Sequence, residues 1–225
     1  MLHHAHDFNE ATRSFKSGGS WRMSGRNGGP LHRELSSATV GILGLGLVGQ
    51  ALAVRAAAFG MRVLGCNRTA RAVVGQDGPV YPLSEMGAMA AECDYLVLTA
   101  ALAPETEGIL SDAVLRRMKS DAVVLNVGRA GLVDERALYT ALESGAIGGA
   151  MLDVWWQYPT PDDPSPRPSS LPYHELPPST VMTPHASAWT REMLDRRWDT
   201  IAENCDSAVA ATPSKLKFVI KEAGC

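Results

Sequence analysis

The sequence predicts an α/β protein built on an open, doubly wound parallel sheet. From Thr39 onward, strand and helix signals alternate as they do in successive βαβ units. The strand candidates include unbroken apolar runs such as residues 122–125, which are typical of strands covered on both faces. A glycine-rich turn joins the first strand to its helix. Because parallel crossovers are right-handed, this order places helices on both faces of the sheet.

The individual elements follow from apolar runs, capping residues and glycines. The predicted strands are residues 40–43, 61–64, 95–98, 122–125, 150–152 and 181–182. The predicted helices are residues 7–15, 50–59, 84–92, 111–118 and 189–211, together with a helix that begins at the cap Asp134 and ends at Gly145. Ser84 and Ser111 are the predicted N-caps of the helices at 84–92 and 111–118. Prolines crowd residues 159–178, so we expect that segment to be irregular. The predicted organisation is a linker helix and loop over residues 1–38, a cofactor domain over 39–211 and a tail over 212–225.

Composition and net charge disfavour some classes of partner and site for this chain. The chain has 225 residues and a net charge of -3, which gives no reason to expect nucleic acid or a membrane surface as a partner. The four cysteines are scattered, without C-x-x-C spacing, and suggest reduced thiols and a cytoplasmic location. His3, His4 and His6 could gather around a metal, but we interpret them as a solvated terminus and predict no metal site.

The turn after the first strand carries the spacing of a dinucleotide-binding fingerprint, Gly-x-Gly-x-x-Gly. Gly44 permits the tight turn, Gly46 lets the main chain approach a pyrophosphate, and Gly49 lets the next helix pack on the strand. The amides at the helix start attract the anion. The sequence therefore predicts a Rossmann domain, with a glycine turn that binds no ligand as the alternative.

The second predicted strand runs into Asn67, Arg68 and Thr69, where an NAD site normally places a carboxylate on the ribose 2′-hydroxyl. No acidic residue stands there. Arg68 and Arg71 could pair with a 2′-phosphate, and Asn67 or Thr69 could hydrogen-bond it. This favours NADP over NAD; alternatively, both arginines are simply solvated.

Four sequence features occur in a fixed order along the chain, at residues 44–49, 126–134, 152–154 and 183–185, and a loop at residues 102–106 accompanies them. In this order the stretches match the motifs of one enzyme family. From Thr39 to about Ala211, the chain resembles the cofactor-binding domain of the D-isomer-specific 2-hydroxyacid dehydrogenases.

The resemblance implies roles for several residues. Arg129 resembles the arginine that holds the substrate's carboxylate and carbonyl, and His185 the acid/base residue that supplies a proton as hydride reaches the carbon. Asp153 resembles the aspartate that faces the nicotinamide. As alternatives, Arg129 could cap a helix end and Asp153 a loop. The remaining dinucleotide contacts that the resemblance implies are Leu47, Val48, Thr106, Val127, Gly128 and Ala188.

One departure from the family concerns the partner of the histidine. The family places a glutamate just before a proline in this region, whereas here Tyr158 precedes Pro159 and Gln157 precedes Tyr158. We assign Gln157 and Tyr158 to the catalytic region. A neutral partner supports an imidazolium less well, so we expect 2-oxo acid reduction to fall steeply above neutral pH. Formate dehydrogenases of the superfamily pair a glutamine with the histidine, which leaves a non-standard substrate open.

A second departure concerns the family's separate substrate domain, which precedes the cofactor domain. We expect most of it to be absent from an N-terminally truncated chain, since residues 1–38 match at best the linking helix and lead-in. The family usually pairs through its cofactor domains, so the resemblance implies a homodimer.

Two functions remain. The first is an NADP-preferring oxidoreductase that reduces a small 2-oxo acid such as glyoxylate or hydroxypyruvate. The alternative is a catalytically impaired dinucleotide-binding fragment that acts as a sensor or interaction module, as co-repressors related to the family do. Another Rossmann enzyme, such as a methyltransferase, is disfavoured by residues 126–129 and 183–185.

Overall fold

A computed structural model describes residues 1–18, 21, 29, 31–69, 78–210 and 217. It divides into two compact units, Met1–Pro184 and His185–Cys225. The first unit contains a parallel seven-stranded sheet in the order β3-β2-β1-β4-β5-β6-β7, which confirms the predicted fold class. The strands are β1 Thr39–Leu43, β2 Arg62–Cys66, β3 Val80–Tyr81, β4 Tyr95–Leu98, β5 Val123–Asn126, β6 Gly149–Leu152 and β7 Thr180–Met182.

Helices cover both faces of this sheet. In the first unit they are α1 Leu2–Ala5, α2 Phe8–Lys16, α3 Leu47–Ala58, α4 Met86–Glu92, α5 Asp112–Leu115 and α6 Glu135–Glu143. Successive residues of a strand point to opposite faces, and β1 follows this rule. Val40 and Ile42 pack in a core with Ala53 of α3, whereas Leu43 packs in a second core with Met89 of α4. Burial on both faces explains why the strands are continuously apolar.

Helix α6 begins and ends where its caps predict. The carboxylate of Asp134 accepts a hydrogen bond from the amide of Ala137, and Gly145 follows the helix end with φ 69°. Two other predictions of helix ends were wrong. Ser84 lies inside a 3₁₀ turn, Leu83–Glu85, so α4 begins only at Met86. Ser111 does occupy the N-cap position of α5, but that helix ends at Leu115 rather than at Met118.

The N-terminal residues pack on the sheet rather than remaining fully solvated. Ala5 is buried in the core that contains α3, and the ring of His4 meets the ring of Tyr95 edge-on at 6.0 Å. Burial lowers the pKa of His4, so its imidazole is biased towards the neutral form. Among the described residues, no group of three or more histidine, cysteine, aspartate or glutamate side chains could hold a metal ion.

Asp94 anchors the edge of the sheet at which the strands begin. Its carboxylate accepts a hydrogen bond from the amide of Thr39 at 2.7 Å and pairs with Lys119 at 3.1 Å and Arg33 at 3.3 Å. Burial acts to raise the pKa of Asp94, but the Thr39 hydrogen bond and the two cations outweigh it and hold that pKa below its usual value. Asp94 is therefore ionised in the folded protein.

The proline-rich segment is irregular, as predicted, apart from a short 3₁₀ turn at Tyr173–Glu175. It is attached to α6 through two side chains. The buried Tyr173 hydroxyl donates a hydrogen bond to the carbonyl of Glu135 at 2.8 Å, and Ser169 donates to the carboxylate of Glu135. These contacts hold the segment against the core although it lacks ladder hydrogen bonds.

The second unit contains α7, Arg191–Val209, which is slightly shorter than predicted. It begins at Arg191 because Thr190 caps it, its hydroxyl accepting a hydrogen bond from the amide of Met193. Near its end, the Asn204 side chain hydrogen-bonds both the amide and the carbonyl of Lys217, at 2.8 and 3.1 Å. The predicted helix end at Ala211 lies outside the described residues.

Candidate functional site

The strand order reverses at β1, which lies between β2 and β4. In such sheets the crossovers on either side of the reversal leave a crevice at the carboxyl ends of the strands. The predicted glycine turn follows β1, at this edge. The fold therefore places the fingerprint at the topological switch point.

The three glycines meet three different requirements. Gly44 has φ 91°, and a Cβ there would lie 2.6 Å from the backbone of Ala100. A Cβ at Gly49 would overlap the carbonyl oxygen of Gly44. A Cβ at Gly46 would meet no heavy atom of the described residues within 4 Å, so nothing in the described fold demands a glycine there. Packing therefore explains the glycines at positions 44 and 49 but does not explain Gly46, whose contact with a pyrophosphate stays a prediction.

Two side chains that the sequence analysis missed hold the glycine turn in place. The Thr99 hydroxyl lies 2.6 Å from the carbonyl oxygen of Gly44 and 3.1 Å from that of Leu43, so its single proton can be donated to either. The Gln50 amide donates a hydrogen bond to the carbonyl of Leu45 at 2.9 Å. Thr99 and Gly44 are 55 positions apart in the sequence, so no local sequence pattern reveals this hydrogen bond.

Helix α3 begins at Leu47 with Gly46 as its N-cap, and the side chains of Leu47 and Val48 are exposed. The first amides of a helix have no carbonyl partner within the helix, so they attract an anion that reaches them. A cleft opens at this place between the ends of β1, β2 and β4. Its lining residues include Gly44, Gly46, Cys66, Asn67, Arg68, Thr99, Glu105 and Thr106.

The β2 side of the cleft carries the predicted ribose contacts. Asn67 donates its backbone amide to the carbonyl of Tyr81 at 3.1 Å, Arg68 projects into the cleft, and Thr69 is exposed. Arg71 lies outside the described residues. Burial raises the pKa of the Cys66 thiol to about 12, so this thiol stays protonated at the cleft wall.

Thr106, on the opposite wall, is buried and organises its own loop. Its hydroxyl accepts a hydrogen bond from the amide of Ala103 at 2.9 Å and lies 2.9 Å from the carbonyl oxygen of Ala101, to which it donates. Next to it, the carboxylate of Glu105 pairs with Arg68 across the cleft at 2.7 Å. A dinucleotide contact through Thr106 stays a prediction.

The turn after β5 presents Arg129 at the same edge of the sheet. Buried Asn126 shapes it, since its carbonyl accepts from the amide of Gly128 at 3.1 Å and its amide donates to the carbonyl of Arg129 at 3.0 Å. The exposed Arg129 guanidinium donates to the carbonyl of Gly128 at 2.7 Å. Val127 is 40% exposed, whereas the neighbouring Gly128 is buried and packs against Ala100 and Leu132.

The turns after β6 and β7 are joined through Thr183. Its hydroxyl donates to the carboxylate of Asp153 at 2.6 Å, and its carbonyl accepts from the indole of Trp155 at 2.8 Å. Asp153 is buried, so these contacts orient its carboxylate.

Gln157 and Tyr158 line a second, mainly apolar cleft together with Pro166, Pro168 and Met182. The Tyr158 hydroxyl accepts a hydrogen bond from the amide of Trp155 at 3.1 Å. This bond folds the segment after β6 back on itself and places both candidate residues beside Thr183. Their catalytic roles stay predictions.

His185 and Ala188 belong to the second unit and are described within it. His185 is exposed and has φ 55°, the left-handed region that histidine enters more readily than most residues. The amide of Thr190 donates to the carbonyl of Ala188 at 3.1 Å. The convergence of His185 with Arg129 stays a prediction.

Among the described residues, no helix is both long and apolar enough to cross a membrane.

Residues 1–187 match the family model described as D-isomer specific 2-hydroxyacid dehydrogenase, NAD binding domain. The chain is 33% identical over 183 residues to a glycerate dehydrogenase from Methylorubrum extorquens, covering 81% of this chain and 54% of the relative. It is 35% identical over 198 residues to a glyoxylate reductase from Korarchaeum cryptofilum, covering 87% and 56%. The chain therefore spans about half the length of these relatives.

Among solved structures, the chain is similar to an NADPH-dependent glyoxylate/hydroxypyruvate reductase from Sinorhizobium meliloti, determined in complex with NADP and sulfate. The TM-score is 0.78 at 26% identity, covering 98% of this chain and 65% of the other.

Proposed function

The chain belongs to the family of D-isomer specific 2-hydroxyacid dehydrogenases, and on that premise we propose that it binds a nicotinamide dinucleotide and reduces a small 2-oxo acid. The observation that carries the proposal is the shared edge of the sheet. The glycine turn after β1 and the Arg129 turn after β5 both follow the carboxyl ends of strands of one parallel sheet. A dinucleotide bound at the first could extend along that edge towards the second.

The residues present fit a dinucleotide. Gly46 leaves its main chain open, whereas Gly44 and Gly49 are tightly packed, and the 12-residue helix α3 starts directly after Gly46. These groups would hold the pyrophosphate. We assign the binding of the adenosine ribose to Asn67, Arg68 and Thr69. Because this stretch lacks a carboxylate, we propose that the chain binds NADP in preference to NAD. When bound, the reduced cofactor supplies the hydride.

The chain's own residues would do the rest of the chemistry. Arg129 would exchange its bond to the Gly128 carbonyl for a bidentate contact with the substrate carboxylate, which its planar fork suits. His185 would donate a proton to the carbonyl oxygen as the hydride arrives. Asp153, held by Thr183, would face the nicotinamide. We take glyoxylate and hydroxypyruvate as the first substrates to test, since relatives are named for them.

The test separates binding from turnover. NADPH and NADH are titrated by fluorescence, and their oxidation is followed by absorbance after adding glyoxylate or hydroxypyruvate. Arg129→Gln removes two charge-assisted hydrogen bonds, each worth about 1.5–3 kcal/mol, so we expect kcat/KM to fall by about 10²–10⁴-fold. Arg136→Gln, at an exposed position on α6, is the matched control and should change kcat/KM by less than about twofold.

The second candidate function is dinucleotide binding without turnover. The neutral residues Gln157 and Tyr158, in place of the family's glutamate, favour it. Binding of NADPH with no oxidation in the presence of either 2-oxo acid would support this second function and contradict the first. Homodimerisation and a cytoplasmic location stay predictions.

A further inference from the structure

An ion pair joins the two walls of the cleft beside the glycine turn, which is the proposed dinucleotide site. Arg68 follows β2, Glu105 lies in the loop after β4, and 37 positions separate them in the sequence. The Arg68 Nη1 and Glu105 Oε1 atoms are 2.7 Å apart. Both residues line the cleft that contains Gly44 and Gly46. The proposed ribose contact is therefore held by a carboxylate from the opposite wall.

This carboxylate is charged at neutral pH. A hydrogen bond from its own backbone amide and the nearby Arg68 hold the pKa of Glu105 below its usual value. A 2′-phosphate carries nearly two negative charges, and it would have to share or replace the bond between Arg68 and Glu105. The 2′-phosphate would also be repelled by the carboxylate, whereas a neutral 2′-hydroxyl would not be.

We propose that Glu105 limits the preference of this chain for NADP over NAD. It places a negative charge beside Arg68 from the loop after β4, and it restrains that arginine. Glu105 therefore weakens NADP binding relative to what Arg68 alone would give, and it has little effect on NAD. This inference rests on the proposed binding of a dinucleotide at the cleft.

The test uses Glu105→Gln in the full chain, with NADPH and NADH titrated by fluorescence. The simpler probes 2′,5′-ADP and 5′-AMP, measured by calorimetry, isolate the effect of the 2′-phosphate. Removing the negative charge that pairs with Arg68 in this solvated cleft should tighten binding of NADPH and 2′,5′-ADP by about five- to tenfold at low salt. Binding of NADH and 5′-AMP should change less than about twofold. The gain should shrink at about 0.5 M salt, since mobile ions screen the repulsion.

Glu107→Gln is the matched control because it makes the same charge change on the same loop at an exposed position. It should leave all four dissociation constants near those of the wild type. In Arg68→Gln, the further change Glu105→Gln should produce a smaller gain for NADPH than it does in the wild type, because the carboxylate acts partly through Arg68.

Three results would overturn the proposal. In the first, Glu105→Gln leaves the NADPH dissociation constant within twofold of wild type. In the second, Glu107→Gln produces an equal gain, so that only overall charge matters. In the third, the wild type binds neither dinucleotide, which would also overturn the proposed function. The first two leave the proposed function standing, so the two failures can be told apart.

Discussion

Replacing Gly46 with alanine tests whether the glycine turn is built for a ligand. Gly46 has φ -75° and ψ -163°, a conformation that alanine adopts without strain. A Cβ there would meet none of the described residues within 4 Å. Alanine is a poorer N-cap than glycine but restricts the unfolded chain, and these effects oppose one another. We therefore expect the free energy of unfolding to change by less than about 1 kcal/mol.

Dinucleotide binding should respond differently to Gly46→Ala. The added methyl group occupies the space through which a pyrophosphate would approach the main chain, so at least one hydrogen bond to a charged oxygen is lost. Such a bond is worth about 1.5–3 kcal/mol, which corresponds to a dissociation constant about ten- to a hundredfold higher. Urea unfolding measures the stability, and fluorescence titration with NADPH and NADH measures the binding.

Gly49→Ala provides the comparison. A Cβ at Gly49 would overlap the carbonyl oxygen of Gly44, so the turn and α3 must move apart. We expect a loss of about 1–3 kcal/mol or more in stability, together with weaker binding. If Gly46→Ala binds NADPH within twofold of the wild type, or loses as much stability as Gly49→Ala, the assignment of the open main chain to a pyrophosphate is wrong.

Two further predictions concern buried polar groups. Asn126→Ala should lower the free energy of unfolding, measured in urea, by about 1–3 kcal/mol, because the Gly128 amide and the Arg129 carbonyl lose their hydrogen-bond partners. The control Val127→Ala, at a partly exposed position, should lower it by less than about 0.5 kcal/mol. Asp94→Asn should lower the free energy of unfolding by about 1–3 kcal/mol at pH 7. Because the folded pKa of Asp94 lies below its unfolded value of about 3.9, its stabilisation is present above pH 3.9 and is lost as pH falls through the folded pKa. The difference in unfolding free energy between wild type and Asp94→Asn should therefore shrink in acid, and a difference that stays constant down to pH 2 would contradict the assignment.

Much of the fold was predictable because its signals are local. Apolar runs identified six of the seven strands, and Asp134 and Gly145 identified both ends of α6. The edge strand β3 was missed because it has only the two residues Val80 and Tyr81, too few to show a period. Ser84 was misread as a cap because a capping residue and a residue in a 3₁₀ turn look alike in sequence.

The candidate site was predictable where a backbone conformation demands a particular residue. Gly44 and Gly49 stand where a side chain would collide, and the family resemblance that they helped to reveal is confirmed by the match over residues 1–187. Thr99, Gln50 and Glu105 were missed for the opposite reason. Each is an ordinary polar residue whose partner becomes visible only when the chain is folded.

Regular hydrogen bonding extends past the strand ends and holds the candidate site together. The residue that follows β1 and the residues that follow β4 to β7 each still donate a backbone hydrogen bond to a neighbouring strand, at 2.9–3.3 Å. They are Gly44, Thr99, Val127, Asp153 and Thr183. The sheet therefore fixes where each of these loops starts. The loop after β6, which contains Gln157 and Tyr158, starts from a fixed strand end whichever residues it carries. The consequences of having neutral residues at these two positions should therefore appear in reaction rates rather than in the position of the strands.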